Sequence, residues 1–231
     1  MREGNLIQSK SKRNLLDAAE KLFADRGFDA VSVRDITQLA KANVAAVNYH
    51  FGGRDGLIAV LVTRYITPVY EERTARLDNL EKKWAGKAVP VEEIIDAYVR
   101  PLITLVRKSE LSERLFCKLI GRIFSMQAKG IPHEVNEQFR VQSERFTRAF
   151  AKALPTVGPE DLAWRIHFMI GAMIHMLMQQ EMLQRSTKGD IASPGMEATL
   201  AKLVRFVAAG LREGVEQPPG ANTSPQATFN F

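Results

Sequence analysis

Apolar side chains recur at helical spacing along almost the whole chain, and no segment shows the two-residue alternation of a strand. The first stripe follows Ser11, which is suited to cap a helix, and consists of Leu15, Leu16, Ala19, Leu22 and Phe23. Comparable stripes continue to residue 214, separated by Gly, Pro and Ser residues. The pattern predicts an all-α fold of about nine helices.

Three short helices are predicted before residue 54. Gly27 is suited to end the first helix in a left-handed conformation. Residues 32–35, with the sequence Ser-Val-Arg-Asp, resemble a capping box that begins the second helix. Asn43 can cap the third helix, which Gly52 and Gly53 end.

The third helix is unusually rich in hydrogen-bonding and aromatic groups for barely two turns. Val44 and Val47 are predicted to face the core, whereas Asn48, Tyr49 and His50 occupy successive positions near its end. Two short helices joined by a tight turn are typical of a helix-turn-helix, whose second helix enters the DNA major groove. Asn can pair with adenine, and Tyr and His can donate to phosphate oxygens. An ordinary helical domain remains an alternative at this point.

The charge distribution favours an anionic partner. The net charge is +6 and the isoelectric point is about 9.5. Residues 1–54 hold nine Lys or Arg against six Asp or Glu, so half of the net charge lies in under a quarter of the chain. The helix N-termini at Ser32 and after Gly53 expose backbone N–H groups beside Arg34 and Arg54, which also suits phosphate.

Several function classes are not expected. Cys117 is the single cysteine, which excludes an internal disulfide and fits a reducing cytoplasm. The longest apolar run, residues 166–178, is too short to cross a bilayer, and no signal-peptide core begins the chain. The sequence lacks a Gly-rich phosphate loop, a nucleophile elbow and a His-Glu-x-x-His motif, so neither an enzyme, a cofactor nor a metal site is predicted. We therefore expect a cytoplasmic protein with no membrane segment.

Residues 15–61 closely resemble the DNA-binding head of the TetR family of bacterial transcriptional regulators. The shared features are, in order, A-x-x-L-F at 19–23, Gly27, S-V-R-D-I at 32–36, the aromatic close at 49–51 and the basic–acidic pair at 54–55. The resemblance implies double-stranded DNA as the partner, bound by a homodimer at a near-palindromic operator. The string AAVNYHFG is also similar to a subgroup that includes regulators of fatty-acid metabolism.

The family's DNA contacts carry over by position. Phosphate contacts are expected from Ser32, Arg34, Tyr49, His50 and Arg54, and base contacts from Asn43, Ala45 and Ala46. Two positions depart from the family pattern. Lys41 stands where Gly is often found, and Asn48, which could reach a base, stands where Tyr is often found.

The resemblance also implies that the helical body binds a small molecule and dimerises through its last two helices, near residues 159–184 and 194–213. The first of these is apolar on more than one side, as expected of a helix between a core and a second subunit. The expected dimer contacts are Phe168, Gly171, His175, Met178, Leu203 and Val207.

Arg122 falls on an apolar helix stripe, so its charge must find an anion. Two partners are open: an internal acid, or the carboxylate or phosphate of a ligand. The expected ligand site consists of Arg122, Phe116, Leu119, Ile123, Met126, Met169 and Met173. Methionine suits a flexible apolar ligand, although a merely Met-rich core would give the same pattern.

We therefore expect a DNA-binding domain at residues 8–53, a ligand-binding and dimerisation body at 54–214 with a connecting helix at 54–83, and a disordered tail at 215–231. The expected function is a repressor released from its operator by a small apolar or fatty-acyl effector. The alternative is a DNA-binding protein whose body binds a protein partner. An enclosed apolar cavity above about 300 Å³ would favour the first, and an exposed apolar patch the second.

Overall fold

The computed structural model describes residues 2–108, 111–124, 131–178, 182, 186–188 and 195–213, with side chains throughout except at 2–9, 106–108, 113 and 178. These residues form nine α-helices and no strand, which confirms the predicted all-α class. The helices are α1 (Arg2–Arg26), α2 (Val33–Ala40), α3 (Val44–Phe51), α4 (Arg54–Lys83), α5 (Val91–Lys108), α6 (Glu113–Phe124), α7 (His133–Ala153), α8 (Pro159–Met178) and α9 (Met196–Arg212). The predicted tail, residues 215–231, lies outside the described part.

The start of α1 differs from the prediction. Ser11 was expected to cap the helix, but α1 begins at Arg2. Neither proline nor glycine occurs between Asn5 and Ser11, so nothing stops the helix from extending by one hydrogen bond per residue.

Helices α1 to α3 and the start of α4 form the head, which has its own apolar centre. Side chains from all four helices are buried there, namely Leu15, Ala19, Phe23, Ile36, Val47, Phe51, Leu57 and Leu61. Phe51, the last residue of α3, therefore packs into this centre and anchors α3 to the other helices of the head.

Helices α4 to α9 form the body. Helix α5 packs against α4 and α9, and α8 packs against α6, α7 and α9. Two features join the body to the head: α4 runs continuously from one to the other, and α6 packs against α1. A displacement of α4 or α6 within the body would thus also move the helices of the head that they adjoin.

The body carries open grooves at its helix junctions. One of about 630 Å³ lies between α4, α5 and α9, and one of about 450 Å³ lies between α8 and α9. A third, of about 370 Å³, lies between α4 and α5 beside Pro68 and Pro101. These grooves are open to solvent. They differ from the enclosed apolar cavity that would favour a body that binds a small-molecule effector.

Candidate nucleic-acid interface

The second helix begins with the capping box that the sequence predicts. The Asp35 backbone N–H donates to Ser32 Oγ at 3.2 Å, and the Ser32 backbone N–H donates to Asp35 Oδ2 at 2.8 Å. The Ser32 hydroxyl also donates to Asp35 Oδ2 at 2.5 Å. These hydrogen bonds hold the pKa of Asp35 below its usual range, so the carboxylate stays ionised and fixes the start of α2. Ser32 and Arg34 are both exposed there.

The turn between α2 and α3 is built on Lys41. This residue adopts φ +50° and ψ +45°, the left-handed region that usually favours glycine. The Lys41 N–H donates to the Gln38 carbonyl at 3.3 Å, and the Ala42 N–H donates to the Thr37 carbonyl at 2.9 Å. The position at which the family often has Gly therefore needs a left-handed backbone in this chain too.

The start of α3 presents small and apolar groups to solvent. Asn43 Oδ1 accepts from the Ala45 N–H at 2.9 Å, which confirms Asn43 as the N-cap. Ala45 is exposed and Ala46 is half-buried. Val47 is buried as predicted, but the prediction that Val44 faces the core is wrong, because Val44 is 44% exposed. Val44 lies in the first turn, where neighbouring helices cover it only in part.

The end of α3 presents an aromatic pair. Tyr49 is 71% exposed, and His50 is half-buried with its ring 5.1 Å from the Tyr49 ring in an edge-to-face arrangement. Asn48 is exposed, and its Oδ1 lies beside Gly53. Asn48 and Tyr49 are therefore accessible on this face, and the contact of these groups with DNA stays a prediction.

Arg54 has a second task that the sequence did not indicate. Its Nε donates to the Val31 carbonyl at 3.2 Å, and its Nη2 donates to the Phe28 carbonyl. These bonds tie the start of α4 to the connection between α1 and α2. The phosphate contact expected of Arg54 stays a prediction.

Gly56 was missed entirely by the sequence reasoning. A Cβ added to Gly56 would lie 1.7 Å from the Phe51 carbonyl oxygen, so α3 and α4 can meet this closely only at a glycine. A glycine in the first turn of a long predicted helix was the available signal, because glycine is unfavourable there without a packing reason.

In the body, the predicted ligand residues divide into two groups. Phe116, Leu119, Ile123, Met169 and Met173 are buried in the interior. Arg122 instead points to the head: its Nη1 donates to the Phe23 carbonyl at 2.5 Å and its Nη2 to the Asp25 carbonyl at 3.0 Å. Within the described part of the chain its hydrogen bonds thus go to backbone carbonyls rather than to an internal acid, and its contact with a ligand stays a prediction. Met126 lies outside the described residues.

The predicted dimer residues also divide. Phe168, Gly171 and His175 are exposed on one side of α8, whereas Leu203 and Val207 are buried within the subunit. The two α9 residues face inward because they pack against α5 and α8, and the exposed aromatic residue of α9 is Phe206. The side chain of Met178 lies outside the described part.

The fold and this surface define a helix-turn-helix DNA-binding protein. Two family models match the chain: residues 15–61 match "Bacterial regulatory proteins, tetR family", and residues 96–210 match "Tetracyclin repressor-like, C-terminal domain". The chain therefore belongs to the TetR family of bacterial transcriptional regulators, as the sequence resemblance implied. This family consists of DNA-binding regulators of transcription.

Named relatives cover part of the chain. The HTH-type transcriptional repressor NicS of Pseudomonas putida is 31% identical over 125 residues, which cover 53% of this chain and 58% of NicS. The probable HTH-type transcriptional regulator YttP of Bacillus subtilis is 38% identical over 59 residues, covering 26% of this chain and 28% of YttP. The matches thus span from about a quarter to a little over half of these relatives' length.

Solved structures support the same fold. PfmR of Thermus thermophilus aligns with a TM-score of 0.56 and 16% identity over 88% of this chain and 99% of PfmR. NalD, the secondary repressor of the MexAB-OprM multidrug efflux pump of Pseudomonas aeruginosa, aligns with a TM-score of 0.56 and 16% identity over 87% and 95% of the two chains. Across the described residues, no helix is both long and apolar enough to span a membrane, and no cluster suited to a metal ion occurs.

Proposed function

We propose that this chain is a homodimeric repressor whose operator affinity falls when a small apolar or acyl-type effector binds its body. The observation that carries the proposal is the pair of hydrogen bonds from Arg122 to the backbone of α1. This residue belongs to the body, yet it holds the last turn of the helix that supports the DNA-binding head.

The Arg122 contact is suited to transmit movement. The carbonyls of Phe23 and Asp25 lie at the C-terminal, negative end of α1, where a cation is favourable. Nη1 also lies close to Gly27: a Cβ at that glycine would be 3.2 Å away. A ligand that shifts α6 would therefore shift or release α1, and with it the orientation of α3.

The dimer proposal rests on exposed aromatic residues. Phe168 on α8 is 64% exposed and Phe206 on α9 is 71% exposed, and both line the groove of about 450 Å³ between these helices. Trp164, one turn before Phe168, is also exposed and stacks on it at 5.8 Å between ring centroids. We name Trp164, Phe168 and Phe206 the aromatic face. A second copy of the chain would cover it, with Gly171 and His175 beside Phe168 on α8.

On DNA, a dimer of this kind would place two α3 helices in successive major grooves. We propose that Ser32, Arg34, Tyr49, His50 and Arg54 contact phosphates and that Asn43, Ala45, Ala46 and Asn48 lie next to the bases. Val44 joins this set, because an exposed apolar residue at the start of α3 is suited to the methyl group of thymine.

The sign of regulation and the effector class have weaker support. NicS is named a repressor, which favours repression here. The buried Phe116, Leu119, Ile123, Met169 and Met173 favour an apolar effector, and the AAVNYHFG string favours an acyl compound. The alternative, a body that binds a protein, would use the aromatic face for that partner instead of for a second copy.

The test is a footprint upstream of the protein's own gene, with and without acyl compounds. We expect a protected near-palindrome whose protection is lost as a compound is added. The Arg122→Met variant should still bind the operator and the compound, but the compound should release it less effectively. Equal release of the variant and the wild type would remove Arg122 from the signal path, and protection by a single half-site would contradict the dimer.

A further inference from the structure

Arg73 is a buried cation at the centre of the body. It is 1% exposed, although it lies in the second half of α4, where the sequence pattern indicates no site. Residues of four other helices surround it: Tyr98 of α5, Phe124 of α6, Gln142 of α7 and Met173 of α8. Five of the body's helices thus converge on one guanidinium.

Within the described part of the chain, the hydrogen bonds of Arg73 go to neutral groups. Its Nε donates to the Tyr98 carbonyl at 2.6 Å, and its Nη1 donates to Gln142 Oε1 at 3.2 Å. Its Nη2 donates to the Met173 sulfur, at 3.9 Å. A thioether is a weak acceptor, so the Nη2 edge of the guanidinium remains able to take a stronger one.

No acid balances this charge among the described residues. The neighbouring acid in the chain, Glu72, is already engaged, because its Oε1 accepts from Arg76 at 2.8 and 2.9 Å and from the Thr104 hydroxyl at 3.2 Å. Burial lowers the pKa of the Arg73 guanidinium, but arginine stays protonated in proteins.

Two aromatic rings offset part of the free-energy cost of burying the Arg73 charge. The guanidinium lies 3.7 Å from the Tyr98 ring centroid and 5.5 Å from the Phe124 ring centroid. Cation–π contacts of this kind are favourable, but removing an ion from water costs more free energy than a ring returns. The rings and neutral acceptors therefore leave the charge incompletely balanced.

A second polar group with a buried oxygen atom lies on α7, the helix that supplies Gln142. Gln138 Oε1 is buried and has no hydrogen-bond partner in the described part of the chain. Gln138 precedes Gln142 by one helical turn on α7, so the two amides share a side of that helix. The oxygen and nitrogen of an amide can exchange places by a flip, so Gln138 can either accept from a ligand or donate to it.

We propose that the effector carries a carboxylate, which Arg73 binds through Nη2 in place of the Met173 sulfur, with Gln138 as the second hydrogen-bonding group. This inference rests on the ligand-released function proposed above and names the chemical class of its ligand. A singly charged carboxylate on an apolar skeleton fits best, because one cation is surrounded by Tyr98, Phe124 and Met173.

The position of the site also connects it to the head. Phe124 contacts the Arg73 guanidinium, and Arg122, two residues earlier in α6, holds the end of α1. An anion that draws Arg73 toward it would displace Phe124 and therefore α6, the helix whose Arg122 is hydrogen-bonded to α1.

The experiment uses the full-length protein with monocarboxylates from butanoate to hexadecanoate and with benzoate, each paired with its neutral primary amide. Thermal unfolding and operator release are measured together. We expect acids to raise the unfolding temperature and release the operator at concentrations at least about tenfold below those of the amides. Arg73→Met should remove this preference. Arg145→Met, which removes a partly exposed arginine paired with Asp78 and Glu81, should keep it.

The outcomes separate the two proposals. Release by amides at the same concentrations as acids would overturn the carboxylate assignment and leave the ligand-released function standing. Stabilisation by acids without operator release would support the site and contradict that function. If none of the acids bound the wild type, the assignment would be overturned. If Arg73→Met does not fold, Arg73→Lys serves: it keeps the charge but loses the planar fork, so it should retain the acid preference with weaker binding.

Discussion

Lys41 holds a backbone conformation that costs a side-chain-bearing residue free energy. A left-handed φ of +50° brings Cβ close to the following carbonyl, at a cost of roughly 1–2 kcal/mol, and glycine escapes that cost. The left-handed turn sets the angle between α2 and α3, so the protein keeps the turn despite its strain.

We expect Lys41→Gly to raise the free energy of unfolding by roughly 0.5–1 kcal/mol, because relief of strain exceeds the added entropy of the unfolded chain. Urea unfolding followed by circular dichroism measures this. Lys21→Gly is the control: Lys21 is exposed within α1, and glycine should destabilise that helix by about 1 kcal/mol. Equal destabilisation by both variants would show that the turn is not strained.

Tyr49 is the residue through which the end of α3 is best placed to reach DNA. We expect Tyr49→Ala to abolish operator binding and to leave the dimer intact, because Tyr49 is exposed on α3, whereas the aromatic face belongs to α8 and α9. Tyr49→Phe separates the contribution of the hydroxyl from that of the ring. Fluorescence anisotropy with an operator duplex gives the affinities, and normal affinity of Tyr49→Ala would make the assignment of the head wrong.

At this scale the sequence predicts what depends on local geometry. The capping box of Ser32 and Asp35 and the cap at Asn43 follow from side chains a few residues from the groups they bind. Arg73 and Arg122 could not be placed in this way. Their partners lie up to 100 positions away in the chain, so only packing brings them together.

Helix boundaries followed the sequence closely wherever glycine or proline marks them. The connecting helix was predicted at 54–83 and is α4, Arg54–Lys83, which begins after Gly52 and Gly53. The start of α1 was missed because a polar segment without a breaker gives no sign of whether it continues a helix. The contact between α3 and α4 was missed as well, since it depends on how two helices approach.

The corner between α3 and α4 gives a sharp prediction. We expect Gly56→Ala to unfold or misplace the head, because its Cβ would overlap the Phe51 carbonyl, which belongs to the backbone and cannot rotate away. Operator binding should be lost while most of the helical circular dichroism remains. Gly158→Ala is the matched control, because a Cβ there meets nothing within 4 Å. Wild-type operator affinity in Gly56→Ala would mean that the two helices do not meet this closely.

The whole molecule combines a basic head with a body that holds it at two points. Half of the net charge of +6 belongs to residues 1–54, and α4 together with Arg122 links this region to the body. The sequence predicts a DNA-binding domain at residues 8–53 followed by a body at 54–214. It did not reveal that Arg122 belongs to the link between them, or that α9 presents Phe206 rather than Leu203 and Val207.

The charge of the head predicts the salt dependence of binding. If several Lys and Arg side chains displace counterions from phosphates, the logarithm of the operator affinity should fall linearly with the logarithm of salt concentration, by about 0.9 for each phosphate neutralised. Arg34→Ala should reduce that slope by roughly one unit, because Arg34 is exposed beside the N-terminus of α2. A flat response of the wild type would contradict docking led by phosphates.

The aromatic face decides whether two heads act together, and sedimentation velocity with and without an operator duplex tests this directly. We expect two subunits in solution and two on each duplex, and we expect Phe168→Glu combined with Phe206→Glu to give monomers that bind the duplex far more weakly. Val141→Glu, which changes an exposed apolar residue of α7, should leave the dimer unchanged. A single subunit both in solution and on the duplex would contradict the account of a paired body that positions two recognition helices.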